Sequence, residues 1–202
     1  MNNRFAALAA AALAATIALT GCATTDATTA EDTTPSTSLG AEADAFLAAH
    51  DLAGLEVPQI IEQLDTTARA DRSEELMVSI RPDELVFADA SQEVTVPMPE
   101  DRFYLSFAPY VSQTHDCYFH SLTTCTGELQ NTAVQVLVTD NETGETVLDE
   151  ALTTYDNGFL GLWLPRDLDA TLTVTSDGLS ASTVVSTDDP EDPTCLTTLQ
   201  LA

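Results

Sequence analysis

AVQVLVTDNETGETVLDEAL, residues 133–152, decides the fold class. Val134, Val136 and Val138 alternate with Gln135 and Leu137, the period of two expected of a strand with one buried face. Asn141-Glu142-Thr143-Gly144 then supplies turn residues before a second strand, Thr146 to Leu152. Asn157-Gly158 turns the chain again into Phe159 to Leu164, and Asp177-Gly178 separates Leu172 and Val174 from Val184 and Val185. Leu196 to Leu201 is a last candidate strand. Short strands with turn residues between them predict an antiparallel β-sandwich or barrel-like domain over residues 101–202.

Upstream the pattern changes. Ala41 to His50 is alanine-rich with Phe46 and Leu47 inside it, and Val57 to Ala68 carries Ile60, Ile61 and Leu64 at helical spacing with Pro58 near its start. Both predict short helices. Met77, Val78 and Ile80 precede the turn Arg81-Pro82-Asp83-Glu84, then Leu85, Val86 and Phe87 follow, and Val94 and Val96 suggest a third strand. The whole is therefore expected to be α+β, with a small helix-plus-strand region at 39–100 ahead of the β-domain.

The first 21 residues carry Arg4 and an apolar run from Phe5 to Leu19, the charged start and greasy middle of a secretory signal. A membrane-spanning helix needs about 20 apolar residues, so the run is short for that role. It ends in Leu19-Thr20-Gly21-Cys22, which resembles the lipobox of bacterial lipoproteins. The resemblance implies cleavage before Cys22 and a lipid on its sulfur, hence a protein tethered to the outer face of a membrane in the cell envelope. Residues 22–38 are Thr, Ala, Asp, Glu, Ser and Pro with almost nothing to bury, a stalk that cannot offset the entropy of ordering.

The formal charge is −27, from 33 acidic residues against six arginines and no lysine. Nucleic acid is excluded as a partner, since phosphate binding needs clustered Lys and Arg. An anionic bilayer would repel this surface, which leaves the lipid as the membrane attachment. The acidity itself is expected to serve solubility.

One segment departs from the strand pattern. YVSQTHDCYFHSLTTCTGEL, residues 110–129, holds two of the three histidines and two of the three cysteines beyond Cys22. The third, Cys195, sits far along the chain in Thr194-Cys195-Leu196. Three thiols cannot all pair, so the count leaves three readings open. The first is a soft-metal site, because thiolates favour Cu(I), Zn(II) or iron–sulfur clusters and imidazole suits copper and zinc. The second is a structural disulfide such as Cys125–Cys195 with a spare thiol, in a β-domain that binds another envelope protein. The third is thiol–disulfide exchange, which the lack of a Cys-x-x-Cys pair disfavours.

Other residues carry plainer expectations. His50 is expected at a helix end, Met77 and Met98 in the core, and Trp163 as a core or interface anchor with shielding of a metal as the alternative. Asn141-Glu142-Thr143 matches a glycosylation sequon but is expected to be a turn.

Four blocks resemble the CueP family of envelope copper-resistance proteins: FYLSFAPYV from Phe103, THDCYFHSLTTCTGEL from Thr114, NGFLGLWLPRD from Asn157 and PTCLTTLQL from Pro193. The resemblance implies copper binding through Cys117, Cys125 and Cys195, with His115 and His120 assisting, and reduction of Cu(II) to Cu(I) on the way. It further implies delivery of copper to exported cuproenzymes such as superoxide dismutase. Members of the family are soluble in the periplasm, so a lipid on Cys22 would be a departure. Reduction by the protein's own thiols is stoichiometric chemistry rather than enzymatic turnover. A zinc site is the lesser alternative, and the oligomeric state is left open.

Overall fold

The computed structural model describes residues 40–202. The expected signal at 1–21, the lipidated Cys22 and the stalk at 22–38 lie outside them. Two helices come first, α1 (Ala41–Ala49) and α2 (Val57–Thr66), followed by a single helical turn at Arg69–Asp71. The start of α2 is set by Pro58 and by a capping box, in which Gln59 Oε1 accepts the Glu56 N–H at 2.8 Å. Its inner face carries Ile60, Ile61 and, less expectedly, the carboxylate of Asp65.

Ten strands follow: β1 (Met77–Ile80), β2 (Glu84–Ala88), β3 (Glu93–Pro97), β4 (Arg102–Phe107), β5 (Ala133–Asp140), β6 (Thr146–Thr153), β7 (Leu160–Pro165), β8 (Asp169–Ser176), β9 (Leu179–Ser186) and β10 (Cys195–Leu196). They form three sheets, in the orders β1-β2-β3, β10-β4-β7 and β6-β5-β8-β9. Every pairing is antiparallel except β10 with β4, which is parallel. The architecture is α+β, as the alternation upstream and downstream of residue 100 predicted.

Two apolar clusters hold these layers. Phe46, Leu47 and Leu52 join Ile60 and Ile61, the inward residues of β1–β3, and Tyr104 and Leu122 in the first. The second packs Phe103, Leu105 and Phe107 of β4 against alternate residues of β5, β7 and β8. Val134, Val136 and Val138 all face inward, as their period of two requires. Burying a side chain of this size contributes roughly 1.5–3 kcal/mol.

Two expectations are corrected. Met77 is not core but 56% exposed, because it begins β1 on the outward phase, whereas Met98 is buried. The last strand is shorter than Leu196 to Leu201. Beyond Leu196 the chain keeps only an isolated parallel bridge between Tyr110 and Gln200. Trp163 anchors in the first cluster, packed edge-on against Tyr104 at 5.0 Å with the Arg102 guanidinium 5.2 Å from its ring. His50 caps α1, and its Nε2 is 3.3 Å from Asp89 Oδ2. Among the described residues no helix is long and apolar enough to cross a membrane.

Candidate metal centre

The segment between β4 and β5 carries four of the five expected ligands, and backbone hydrogen bonds fix its course. The Ile80 N–H donates to His120 O at 2.8 Å and the Leu122 N–H to Val78 O at 2.9 Å, which pins this stretch to the edge of β1. On the other side the Cys195 N–H donates to Tyr118 O at 3.0 Å. Buried Thr194 ties all three together: its hydroxyl accepts the His120 N–H at 3.0 Å and donates to Ile80 O at 2.7 Å. The parallel pairing of β10 with β4 thus brings Cys195 to a segment some 70 residues earlier in the chain.

The sulfurs converge. Cys117 and Cys195 are joined as a disulfide with Cα atoms 5.7 Å apart, and the Cys125 sulfur lies 3.5 Å from that of Cys117. The bonded pair is therefore Cys117–Cys195, not the Cys125–Cys195 bridge offered as the structural alternative, and among the described residues Cys125 is the free thiol. Two ligand sets share that thiol. His115, Cys117 and Cys125 form one, exposed or half-buried, while His120, Cys125 and Cys195 form the other, deeper one, each with donor atoms within 4.8 Å of one another. His120 Nδ1 is 3.9 Å from the Cys195 sulfur. Phe159, fully buried, backs both imidazoles, with ring centroids 4.7 Å from His120 and 6.1 Å from His115.

Behind His120 stands a carboxylate that sequence reasoning missed. Asp65 Oδ1 accepts from His120 Nε2 at 3.0 Å, Asp65 Oδ2 from the Tyr104 hydroxyl at 2.9 Å, and Asn157 Nδ2 donates to both Oδ1 and the backbone O of Asp65 at 2.9 Å. All its partners are buried, so the group is fully paired away from water. The one sequence signal was its position: Asp65 follows Ile61 by four residues, on the apolar face of α2.

Electrostatics follow from this pair. Burial opposes a charge on His120, but the Asp65 carboxylate overrides it and lifts the imidazole to about 9. Burial likewise favours a neutral Asp65, yet the charge of His120 and the hydrogen bonds from His120, Tyr104 and Asn157 hold it below the usual carboxylate value. The Cys125 thiol is raised by its burial and lowered more by the hydrogen bond and charge of His120, with a net value below that of an ordinary cysteine. Without a ligand the ring keeps one N–H on Asp65 and the other toward the sulfurs. A metal would displace the second and leave Asp65 to fix the tautomer, the usual task of a carboxylate behind a ligating histidine.

Two glycines set the loop that carries Cys125. A Cβ on Gly127 would meet Gly158 O at 2.6 Å, and one on Gly158, at φ +80°, would meet Gly127 O at 2.6 Å. Only paired glycines let these backbones approach, and the Gly127 N–H donates to Asn157 O at 2.6 Å as they do. Glu128 steadies the outer segment: its Oε2 accepts the N–H groups of Val111, Ser112 and Gln113 at 2.7, 2.9 and 3.3 Å.

Three cysteine sulfurs and two imidazoles, in two sets that share Cys125, would with the Cys117–Cys195 bond reduced suit a soft, imidazole-tolerant ion such as copper better than a hard oxygen-seeking cation. The family model described as periplasmic copper-binding protein CueP matches residues 59–200. A solved structure described as the crystal structure of S.CueP is 42% identical, with a TM-score of 0.75, covering 82% of this chain and 100% of that one. No curated protein sequence matches the chain.

Proposed function

From the premise that the chain belongs to the CueP family of periplasmic copper-binding proteins, we propose that it captures copper outside the cytoplasm with Cys117, Cys125 and Cys195. The observation that carries the reading is the meeting of three sulfurs from two distant segments, two of them bonded and the third 3.5 Å away. His120 supplies Nδ1 from the buried side and His115 a nitrogen from the solvent side. Copper resistance follows from holding Cu(I) where it cannot cycle with oxygen.

The same thiols account for reduction. Two thiolates give one electron each to two Cu(II), which become two Cu(I) as a disulfide forms and two protons leave if the sulfurs began as thiols. The Cys117–Cys195 bond has the composition of that oxidised product, and Cys125 remains as a thiol. The lipobox supports attachment of the chain through Cys22 to the outer face of a membrane, and the family resemblance supports onward passage of copper to exported cuproenzymes such as superoxide dismutase.

The test is retention of copper. The chain from Cys22 onward, reduced with a phosphine, is expected to hold about one Cu(I) per chain against a competing chelator, as three soft ligands predict. Cys117→Ser and Cys195→Ser should each weaken this sharply. Equal retention by the variants would overturn the site, and zinc held with no change in thiol count would replace copper in it.

A further inference from the structure

The two ligand sets stand at different depths. In the outer one His115 is exposed and Cys117 and Cys125 are half-buried. In the inner one His120 has no exposed surface and Cys195 is 2% exposed. A cavity of about 520 Å³ opens beside the loop that carries Cys125, with Thr114, His115 and Cys125 in its wall. Neither His120 nor Cys195 borders it. An ion arriving from solvent therefore meets His115 and Cys125 before it can meet the buried pair.

The two imidazoles are also held differently. Thr194 fixes the backbone of His120, Asp65 Oδ1 accepts from its Nε2 at 3.0 Å, and Phe159 packs on its ring at 4.7 Å. A donor oriented in advance loses little freedom on binding, which favours retention. The His115 ring is 6.1 Å from Phe159 and in water, so it must be ordered to bind and is easily displaced. Thr114 keeps its backbone beside the cavity, the hydroxyl donating to Thr197 O at 2.7 Å. Between the two rings is Cys125, its sulfur within 4.8 Å of a nitrogen of each and 3.5 Å from that of Cys117.

We infer that His115 binds copper only in passage. In the reduced chain the ion is received by His115, Cys117 and Cys125, turns inward on the two sulfurs to Cys195 and His120, and leaves by the same route. The inference rests on the cysteines being copper ligands and divides the work of the two histidines. The inward step is ligand exchange without electron movement. The bond from Cu(I) to the His115 nitrogen breaks, bonds to Cys195 sulfur and His120 Nδ1 form, and the protons these two atoms carried pass to water. The Cys117–Cys195 bond takes one sulfur from each set, so oxidation closes both positions at once.

Reversibility gives the test its sign. A group bound to the ion only in passage speeds entry and exit alike and leaves their ratio, the affinity, unchanged. Loss of a permanent ligand instead speeds release and weakens retention. Phosphine-reduced chain carrying substoichiometric Cu(I) is mixed with excess bicinchoninate without oxygen, and the release rate is measured, with the copper retained at equilibrium measured separately. His115→Ala, at an exposed position, is expected to release copper about tenfold more slowly, the low end of what disturbing a metal site costs, and to retain as much as wild type. Cys195→Ser should release faster and retain less. If His115→Ala releases faster and retains less, His115 is an ordinary ligand, and if its rate matches wild type, His115 is off the path. Either result overturns the inference while copper held by wild type preserves the cysteine site. No copper held by wild type removes both.

Discussion

His120 Nε2 and Asp65 Oδ1 sit 3.0 Å apart, 55 residues apart in sequence, with both side chains wholly removed from solvent. Each group makes the other's charge tolerable, so deleting one strands its partner in a low-dielectric site. Asp65→Ala and His120→Ala are each expected to lose about 3–5 kcal/mol of unfolding free energy in urea. The double variant should lose less than the sum of the two. Additive losses would show that the pair does not act as a unit.

The same pair sets a pH dependence. The folded value for His120 is raised from 6.5 to about 9, so its contribution is fully present below 6.5 and is lost as pH rises toward 9. Asp65 is lowered, so its contribution is lost instead as pH falls below the ordinary carboxylate range. Cys125 is lowered too and works against His120 at alkaline pH, which makes a Cys125→Ser background the cleaner one. In that background denaturant titrations from pH 6.5 to 9 should show stability falling, and His120→Gln should remove the slope. A profile that rises over this window would contradict the assignment.

Reduction should cost stability and copper should return it. The Cys117–Cys195 bridge closes a loop with a sequence separation of 78, which the chain-entropy account values at about 4 kcal/mol. Reduced, copper-free chain is therefore expected to melt well below the oxidised form. Cu(I) bound only by the folded state should raise the midpoint again as its concentration exceeds the dissociation constant. Scanning calorimetry of the three forms checks the order, and a reduced form unaffected by copper would break the link between site and fold.

Gly127→Ala places a methyl 2.6 Å from Gly158 O, too close for either backbone to stay in place, and is expected to push the Cys125 loop outward. A loss of about 1–3 kcal/mol is expected from the overpacking, together with weaker copper retention because Cys125 moves from the other two sulfurs. Gly144→Ala is the control, since its turn has open space around the added carbon and only backbone strain at φ +73°. It should leave copper retention unchanged, and equal retention by Gly127→Ala would mean that the loop tolerates the shift.

Much of this was legible in the residues themselves. The period of two in Val134, Val136 and Val138 gave β5 and its inward face, and the spacing of Ile60 and Ile61 gave α2, because periodicity is a local property of the chain. The clustering of Cys117, Cys125, His115 and His120 marked the segment that carries the candidate metal centre. What stayed hidden depends on tertiary approach. Asp65 reads as one more acid among 33 until α2 is seen to turn it inward. The choice of Cys117 over Cys125 as the partner of Cys195 depends on where Tyr118 meets β10, which no spacing rule records. The exposure of Met77 was missed for a third reason: at the first position of a strand, a shift of one residue reverses the face.

The parallel pairing of β10 with β4 also orders events in time. A polypeptide that emerges N-terminus first displays Cys117 and Cys125 well before residue 195 follows, and until then it owns two thirds of a chelate. On the proposed ligand set, a complete grip on the ion waits for the closing strand, so cargo taken up by a half-threaded chain would be held by fewer sulfurs and surrendered more readily than cargo met after the last strand has docked.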